Sequence, residues 1–208
     1  MITLFAEPLW DSPFVFTVLV ALEEKRIPYR LEVLDLSLGQ QRTAAYQARS
    51  LTARVPAIEH HGFWLSESSA IVEYLDEAFP EPALFPSDRQ KRARARQILA
   101  WLRSDLPALR RERSTETMFY QRATAPLSAA GQTDADKLVR VAGELIGQAR
   151  SSIFESFSIA DADLAFMLSR LHLNGDPLPE AIARYVEAVW QRPSVQVYVQ
   201  RERPRSPG

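Results

Sequence analysis

The sequence predicts a small α/β domain of order βαβαββα followed by an all-helical domain. Three observations carry this. Residues 1–80 alternate strand-like apolar runs with helical periods, Pro80, Pro82 and Pro86 then punctuate the chain, and no strand signal returns after them. The expected organisation is an α/β domain over 1–80, a Pro-rich linker over 81–88, helices over 89–202 and a flexible tail over 203–208.

Ile2 to Ala6 is a short apolar run suited to a buried strand. Ser12-Pro13 then opens a segment in which Phe14, Val18 and Leu22, and one residue over Val15 and Leu19, repeat every four residues. Apolar on most of its circumference, it predicts a buried helix, with proline at its first position behind a serine cap. It ends before Ile27-Pro28. Arg30 to Leu36 reads as a second strand, and Gln40 to Arg49 as a weak, polar helix. Residues 54–59 form a strand beginning near Pro56, and His61-Gly62 supplies a tight turn into Phe63-Trp64-Leu65, making a hairpin. Ser66 to Phe79 predicts a helix with Ala70, Ile71, Tyr74, Leu75, Ala78 and Phe79 along one stripe. Its local reading is Ser66 as cap and Glu67 in the first turn.

Helical periods follow near 89–106, 134–155, 161–173, 179–191 and 194–201, with a loop expected over 114–132 around Pro126 and Gly131. Ser158 and Asp161 before Leu164 form a capping-box variant, a structural device. No internal repeat is visible.

Composition excludes several functions. The 208 residues are 46% hydrophobic and 25% charged with net charge −1, which gives no global pull toward nucleic acid or an anionic membrane. There is no cysteine, so disulfides, zinc-thiolate sites and a cysteine nucleophile are ruled out. His60, His61 and His172 show no metal-ligand spacing. The opening MITLFAEPLWDSP lacks the basic and apolar regions of a signal peptide, and no apolar run reaches the ~18 residues of a membrane span, so a cytoplasmic protein is expected. Residues 89–113 hold nine Lys or Arg (Arg89, Lys91, Arg92, Arg94, Arg96, Arg103, Arg110, Arg111, Arg113) against Asp105 and Glu112. Without interleaved aromatics this is a solvated helix face rather than an RNA site, able to attract a small anion.

Five stretches, in order along nearly the whole chain, resemble the cytosolic glutathione S-transferase family. They are Ser12-Pro13 opening a helix that runs to Ala21–Tyr29, Arg54-Val55-Pro56, Leu65-Ser66-Glu67-Ser68-Ser69-Ala70-Ile71, Ser158-Ile159-Ala160-Asp161, and Trp190-Gln191-Arg192-Pro193-Ser194-Val195. Ala93 to Asp105 looks like the bacterial YfcF-type branch. The resemblance implies a thioredoxin-like first domain that binds glutathione and a helical second domain that supplies the substrate pocket.

It also implies roles. Ser12 would donate its hydroxyl to the glutathione sulfur, where a hydrogen bond to the thiolate and the helix amino end lower the thiol pKa. From the residues alone Ser12 reads as a helix cap. Val55, before a cis Pro56, would turn its backbone N–H and C=O toward the cysteinyl backbone of the ligand, pairing like an added strand. Glu67 would hold the γ-glutamyl ammonium, and Ser68 with the free amides of its helix would take the carboxylate. Arg54, Gln40 and Gln41 are candidates for the glycyl carboxylate, with Gln41 standing where many relatives carry histidine. Asp105 would reach across a homodimer to the γ-glutamyl ammonium, or cap or pair locally with Arg103 or Arg110. Trp10 and Phe14 beside Ser12, with Trp101, Phe119 and Tyr120, are candidates for an apolar acceptor pocket or for plain core.

The implied activity is conjugation of glutathione, the one co-substrate with no metal, to hydrophobic electrophiles, with reduction of organic hydroperoxides as a related possibility. The rival is a non-catalytic glutathione-transferase-like module for protein interaction or ligand binding. A homodimer is expected, with Glu67, Glu73, Asp76 and Glu77 of one subunit facing Arg89 to Arg96 of the other.

Overall fold

The computed structural model describes residues 1–147 and 151–204. It divides into two compact units, one of residues 1–84 together with those from Gln196 on, the other of residues 85–195.

The first unit is a mixed four-stranded sheet with helices. Strands β1 (Ile2–Ala6), β2 (Tyr29–Val33), β3 (Ala57–His60) and β4 (Phe63–Ser66) lie in the order β2-β1-β3-β4. β1 runs parallel to β2 and antiparallel to β3, and β3 is antiparallel to β4. This is the thioredoxin-like arrangement expected from the sequence. Leu4, Ile58 and Leu65 stand opposite one another across three strands, and Ile2, Leu4 and Ala6 are fully buried. The opposite pleat carries Phe5, which stacks on Trp64 at 4.6 Å with Tyr46 edge-on at 5.8 Å. The hairpin turn is the predicted one: His61 and Gly62 both have positive φ, 54° and 84°, as a two-residue type I′ loop requires, and glycine takes the second position without strain.

Helix α1 (Pro13–Glu24) is buried from Val15 through Leu22, as its all-round apolar period demands. The polar segment expected at 40–49 is a 3₁₀ turn at Gln40–Arg42 and a single helical turn, α2 (Ala44–Gln47). Helix α3 (Ser68–Ala78) starts two residues later than predicted, because Ser66 completes β4. Glu67, not Ser66, is its N-terminal cap residue, at φ 73° and with no side-chain capping bond. Its buried stripe is Ile71, Val72, Leu75 and Asp76, while Ala70 and Ala78 are exposed. Buried Asp76 pairs with buried Lys25 at 3.2 Å and accepts the Leu84 N–H at 2.7 Å.

In the second unit, α4 (Arg89–Ser104) is capped by Asp88, which accepts the Gln90 and Lys91 N–H groups at 3.0 and 2.9 Å. α5 (Pro107–Glu112), α6 (Thr115–Phe119) and α7 (Ala129–Ile146) follow. α6 falls where a loop was expected, and α7 begins five residues before the helix expected from 134; a short helix with a weak period is held by tertiary contacts. Asp134 of α7, for instance, accepts the Ala108 and Leu109 N–H groups at the head of α5 at 2.8 and 3.2 Å. The helix expected over 134–155 ends at Ile146, where Gly147 caps it at positive φ; residues 148–150 lie outside the described residues, and 151–155 are not helical. α8 (Ile159–His172) is the buried axis of the unit, packed by α4 and α9 (Glu180–Trp190). Its capping box forms, and Asp161 Oδ2 accepts the Ser158 N–H at 2.8 Å while Oδ1 accepts the Tyr185 hydroxyl at 3.0 Å.

The boundary between units falls inside α10 (Pro193–Val199). Residues 196–202, expected with the helices, belong to the sheet unit because Tyr198 is fully buried there against Trp10 and Phe16. Arg203, expected in a flexible tail, donates from Nε to the Trp10 carbonyl at 3.0 Å. The rest of that tail, 205–208, lies outside the described residues.

Candidate active site

Ser12 caps α1: its Oγ accepts the Val15 N–H at 3.3 Å. A hydroxyl that accepts through a lone pair keeps its hydrogen free to donate. The cap and the thiol-activating role are therefore compatible on one oxygen.

Ser12 lines a cleft of about 570 Å³ together with Glu7, Asp11, Gln41, Arg42, Arg54 and Val55. That volume is within the range of small-molecule sites, about 300–1,000 Å³. Four residues that the family resemblance brings forward, Ser12, Gln41, Arg54 and Val55, thus share one hollow. The Val55–Pro56 peptide is cis, as expected, and Pro56 is buried behind Val55.

Gln40 departs from expectation. It lines a separate hollow of about 790 Å³ on the Phe5–Tyr46–Trp64 face of the sheet, and its Oε1 holds the Asp35 N–H at 2.8 Å. The 3₁₀ turn sends successive side chains in different directions, so only one of the two glutamines reaches the Ser12 cleft. The larger hollow contains neither Ser12 nor Val55, so its size does not make it the reactive one.

Gln41 donates from Nε2 to the Leu36 carbonyl at 3.4 Å, while its Oε1 is buried without a partner, as is the Thr52 hydroxyl on the same cleft wall. Oriented so, Gln41 offers an acceptor, suited to a ligand N–H rather than a carboxylate. Arg42 and Arg54 are the cations of the cleft, and Arg42 was not anticipated from the sequence. Glu7, Asp11, Gln47 and Thr52 were missed too, being polar residues in loops or short turns with no period to mark their direction.

Glu67 and Ser68 stand at the head of α3, outside the residues lining this cleft. The first amides of such a helix have no partner within it. A glutamate held at φ 73° is strained backbone, the kind of outlier that gathers at ligand sites.

The aromatic candidates divide. Phe14 is 38% exposed beside Ser12, but Trp10 is buried, edge-on to Tyr198 at 6.1 Å with Arg201 over its ring at 4.8 Å. Trp10 is packing. In the helical unit Phe119 packs with Phe166 and Trp190, at 6.2 and 6.5 Å, and Tyr120 is half-buried at the end of α6. Trp101 donates from Nε1 to Asp105 Oδ2 at 2.7 Å.

Asp105 is fully engaged within its own unit. Lys137 shares Oδ2 with Trp101, and the Leu106 N–H donates to Oδ1 at 2.9 Å. The Lys137 ammonium, then the Leu106 amide and Trp101, hold its pKa down at about 2. These contacts occupy the oxygens expected to reach a ligand ammonium. The local partners expected for it go elsewhere: Arg103 pairs with Asp163 at 2.8 Å, and Arg110 Nε donates to the Asp105 backbone carbonyl at 3.1 Å. Among the described residues no group of three or more His, Asp or Glu is placed to hold a metal ion, and no helix is long and apolar enough to cross a membrane.

Comparison with known proteins agrees with this geometry. Residues 11–78 match the glutathione S-transferase N-terminal domain and residues 88–202 its C-terminal domain. The chain is similar to glutathione S-transferase Z2 of Arabidopsis thaliana, 29% identical over 207 residues covering 95% of this chain and 91% of that one. It is similar to maleylacetoacetate isomerase of Dictyostelium discoideum, 35% identical over 102 residues, about half of each protein (48% and 47%). Among solved structures, a glutathione transferase homologue from Burkholderia GL BGR1 with bound glutathione superposes with a TM-score of 0.77 at 41% identity over 95% of both chains. A family model matching more than half of the residues, and a relative of this identity over nearly full length, leave one conclusion: the chain belongs to the glutathione S-transferase family.

Proposed function

We propose that the protein activates the glutathione thiol at Ser12 and adds it to soft, hydrophobic electrophiles. The observation that carries this is the convergence of Ser12, Val55, Gln41 and Arg54 on one cleft at the head of α1. In this reading Glu67 and Ser68 take the γ-glutamyl end, the Val55 backbone pairs with the cysteinyl unit, and Arg54 with Arg42 faces the glycyl carboxylate. Gln41 Oε1 accepts a ligand N–H. Exposed Phe14 meets the electrophile.

Magnitudes limit what Ser12 does. Lowering a thiol pKa from about 8.5 to about 6.5 raises the thiolate fraction at pH 7 roughly 25-fold. A Brønsted slope of about 0.45 costs roughly 8-fold in nucleophilicity, so the net gain is about threefold. Holding thiolate and electrophile together supplies most of the rate.

The similarity to maleylacetoacetate isomerase favours a second reading: the same thiolate adds reversibly to a conjugated cis double bond, the adduct rotates, and elimination returns the trans isomer. Hydroperoxide reduction would use the thiolate too. The protein is proposed to be cytoplasmic and a homodimer of about 47 kDa, twice 23.6 kDa. Buried Asp76 drops out of the acidic face proposed for that contact, which leaves Glu67, Glu73 and Glu77.

Ser12→Ala tests the central claim. Losing a hydrogen bond to a charged group, about 1.5–3 kcal/mol, raises the bound thiol pKa by about one to two units, read from thiolate absorbance against pH. A thiol that titrates at the same pH in both proteins removes Ser12 from the role. Retention on glutathione resin without turnover of a chromogenic aryl halide or a cis-olefinic acid would favour the non-catalytic module.

A further inference from the structure

Glu7 lies in the Ser12 cleft without a role in the reading above. It is only 4% exposed, and its two oxygens serve backbone donors: Oε2 accepts the Trp10 N–H at 2.7 Å, Oε1 the Ser12 N–H at 3.3 Å, and the Leu9 amide donates to the same carboxylate. The loop it spans is unusual. Trp10 sits at φ 51°, a left-handed conformation that costs a bulky residue about 1–3 kcal/mol and persists only where the surroundings over-determine it.

The surroundings are visible on both peptide edges. On the carbonyl edge, the Tyr198 hydroxyl donates to the Ser12 carbonyl at 2.9 Å and Arg203 Nε to the Trp10 carbonyl at 3.0 Å. On the N–H edge, the donors of the same two residues go to Glu7. A carboxylate carries only acceptors and serves both donors at once; a carboxamide would offer one acceptor and set its NH2 against the second donor. A negative group beside a nascent thiolate opposes it electrostatically, so Glu7 is not there to attract the ligand. Asp11 adds to that charge; Arg42 and Arg54 line the same cleft, Arg201 lies over the Trp10 ring and Arg203 binds the Trp10 carbonyl.

We propose that Glu7 is the positioning residue for thiol activation: its carboxylate, by taking the Trp10 and Ser12 N–H groups together, holds Ser12 at the head of α1 with its hydroxyl toward the cleft. The inference rests on the Ser12 reading. Burial, and secondarily the charge of Asp11, raise the Glu7 pKa, so acidification loosens this clamp before it protonates an ordinary carboxylate.

The test compares Glu7→Gln, Ser12→Ala and the double variant, each loaded with glutathione. Thiolate absorbance is followed against pH and affinity by calorimetry. Glu7→Gln is expected to raise the bound thiol pKa by about one unit and to change glutathione affinity less than about threefold, with the double variant no worse than Ser12→Ala. A Glu7→Gln thiol that titrates like wild type, beside a shifted Ser12→Ala, overturns the Glu7 inference alone. An unshifted Ser12→Ala overturns the Ser12 reading and this one with it. Should Glu7→Gln fail to fold, the Trp10 and Ser12 amide nitrogen shifts of the wild-type protein give the answer. They are expected to move together in one titration above the ordinary carboxylate range; separate movement, or none, overturns the clamp.

Discussion

The Tyr198 hydroxyl donates to the backbone carbonyl of Ser12 at 2.9 Å, joining two residues 186 positions apart in sequence. The same carbonyl also receives the Phe16 N–H at 3.0 Å in the first turn of α1. The head of α1, where Ser12 sits, is thus held by a residue 186 positions away.

Tyr198→Phe removes that donor but leaves the carbonyl its helical partner. The expected loss is about 0.5–1.5 kcal/mol, because no polar group is orphaned. Thermal denaturation should show a fall of roughly 2–4 °C per kcal/mol for a protein of this size. An unchanged midpoint would mean that Tyr198 anchors the loop through its ring packing on Trp10 and Phe16, which phenylalanine keeps, rather than through its hydroxyl.

Glu67→Gln tests the other end of the proposed ligand. Replacing a charged partner of an ammonium should cost about 1.5–3 kcal/mol, which raises the glutathione dissociation constant about ten- to a hundredfold. Calorimetry with unchanged affinity would take Glu67 out of the site and leave its φ of 73° without a functional account.

Lys25→Met is expected to be costly for stability. Lys25 Nζ faces Asp76 at 3.2 Å and the Pro82 carbonyl at 2.8 Å, with both charged side chains buried. Removing one member of a buried pair leaves the other charge uncompensated, a cost of about 3–5 kcal/mol. The double variant Lys25→Met/Asp76→Asn should recover part of it, since the amide oxygen still accepts the Leu84 N–H. Urea unfolding of the three proteins measures both steps, and a double variant no better than the single would refute the charge argument.

Asp105 makes a pH prediction. Its folded pKa, about 2, lies below the unfolded value of 3.8, so its contribution is fully present above the unfolded value and is lost as pH falls toward 2. Wild type should therefore exceed Asp105→Asn in stability near neutral pH, and the two denaturation midpoints should converge on acidification through that window. A gap that persists at pH 2 would assign the effect of the variant to something other than the Lys137 and Trp101 contacts.

The sequence by itself determined the order βαβαββα followed by helices, the all-buried α1, the His61-Gly62 turn and the family, because each depends on neighbours in the chain: an apolar period, a proline, a pair of positive φ angles. The resemblance carried by its motifs also brought Ser12, Val55, Gln41 and Arg54 forward as one ligand's contacts. Tertiary structure alone decided the rest. Trp10 became packing because Tyr198 and Arg201 come from the other end of the chain, Asp105 was taken by Lys137 of another helix, and Gln40 parted from Gln41 because a 3₁₀ turn divides them. Glu7 gave no local signal, since a single acid in a loop has no period. What distinguishes it is two backbone donors, placed by the left-handed turn at Trp10 on its two oxygens.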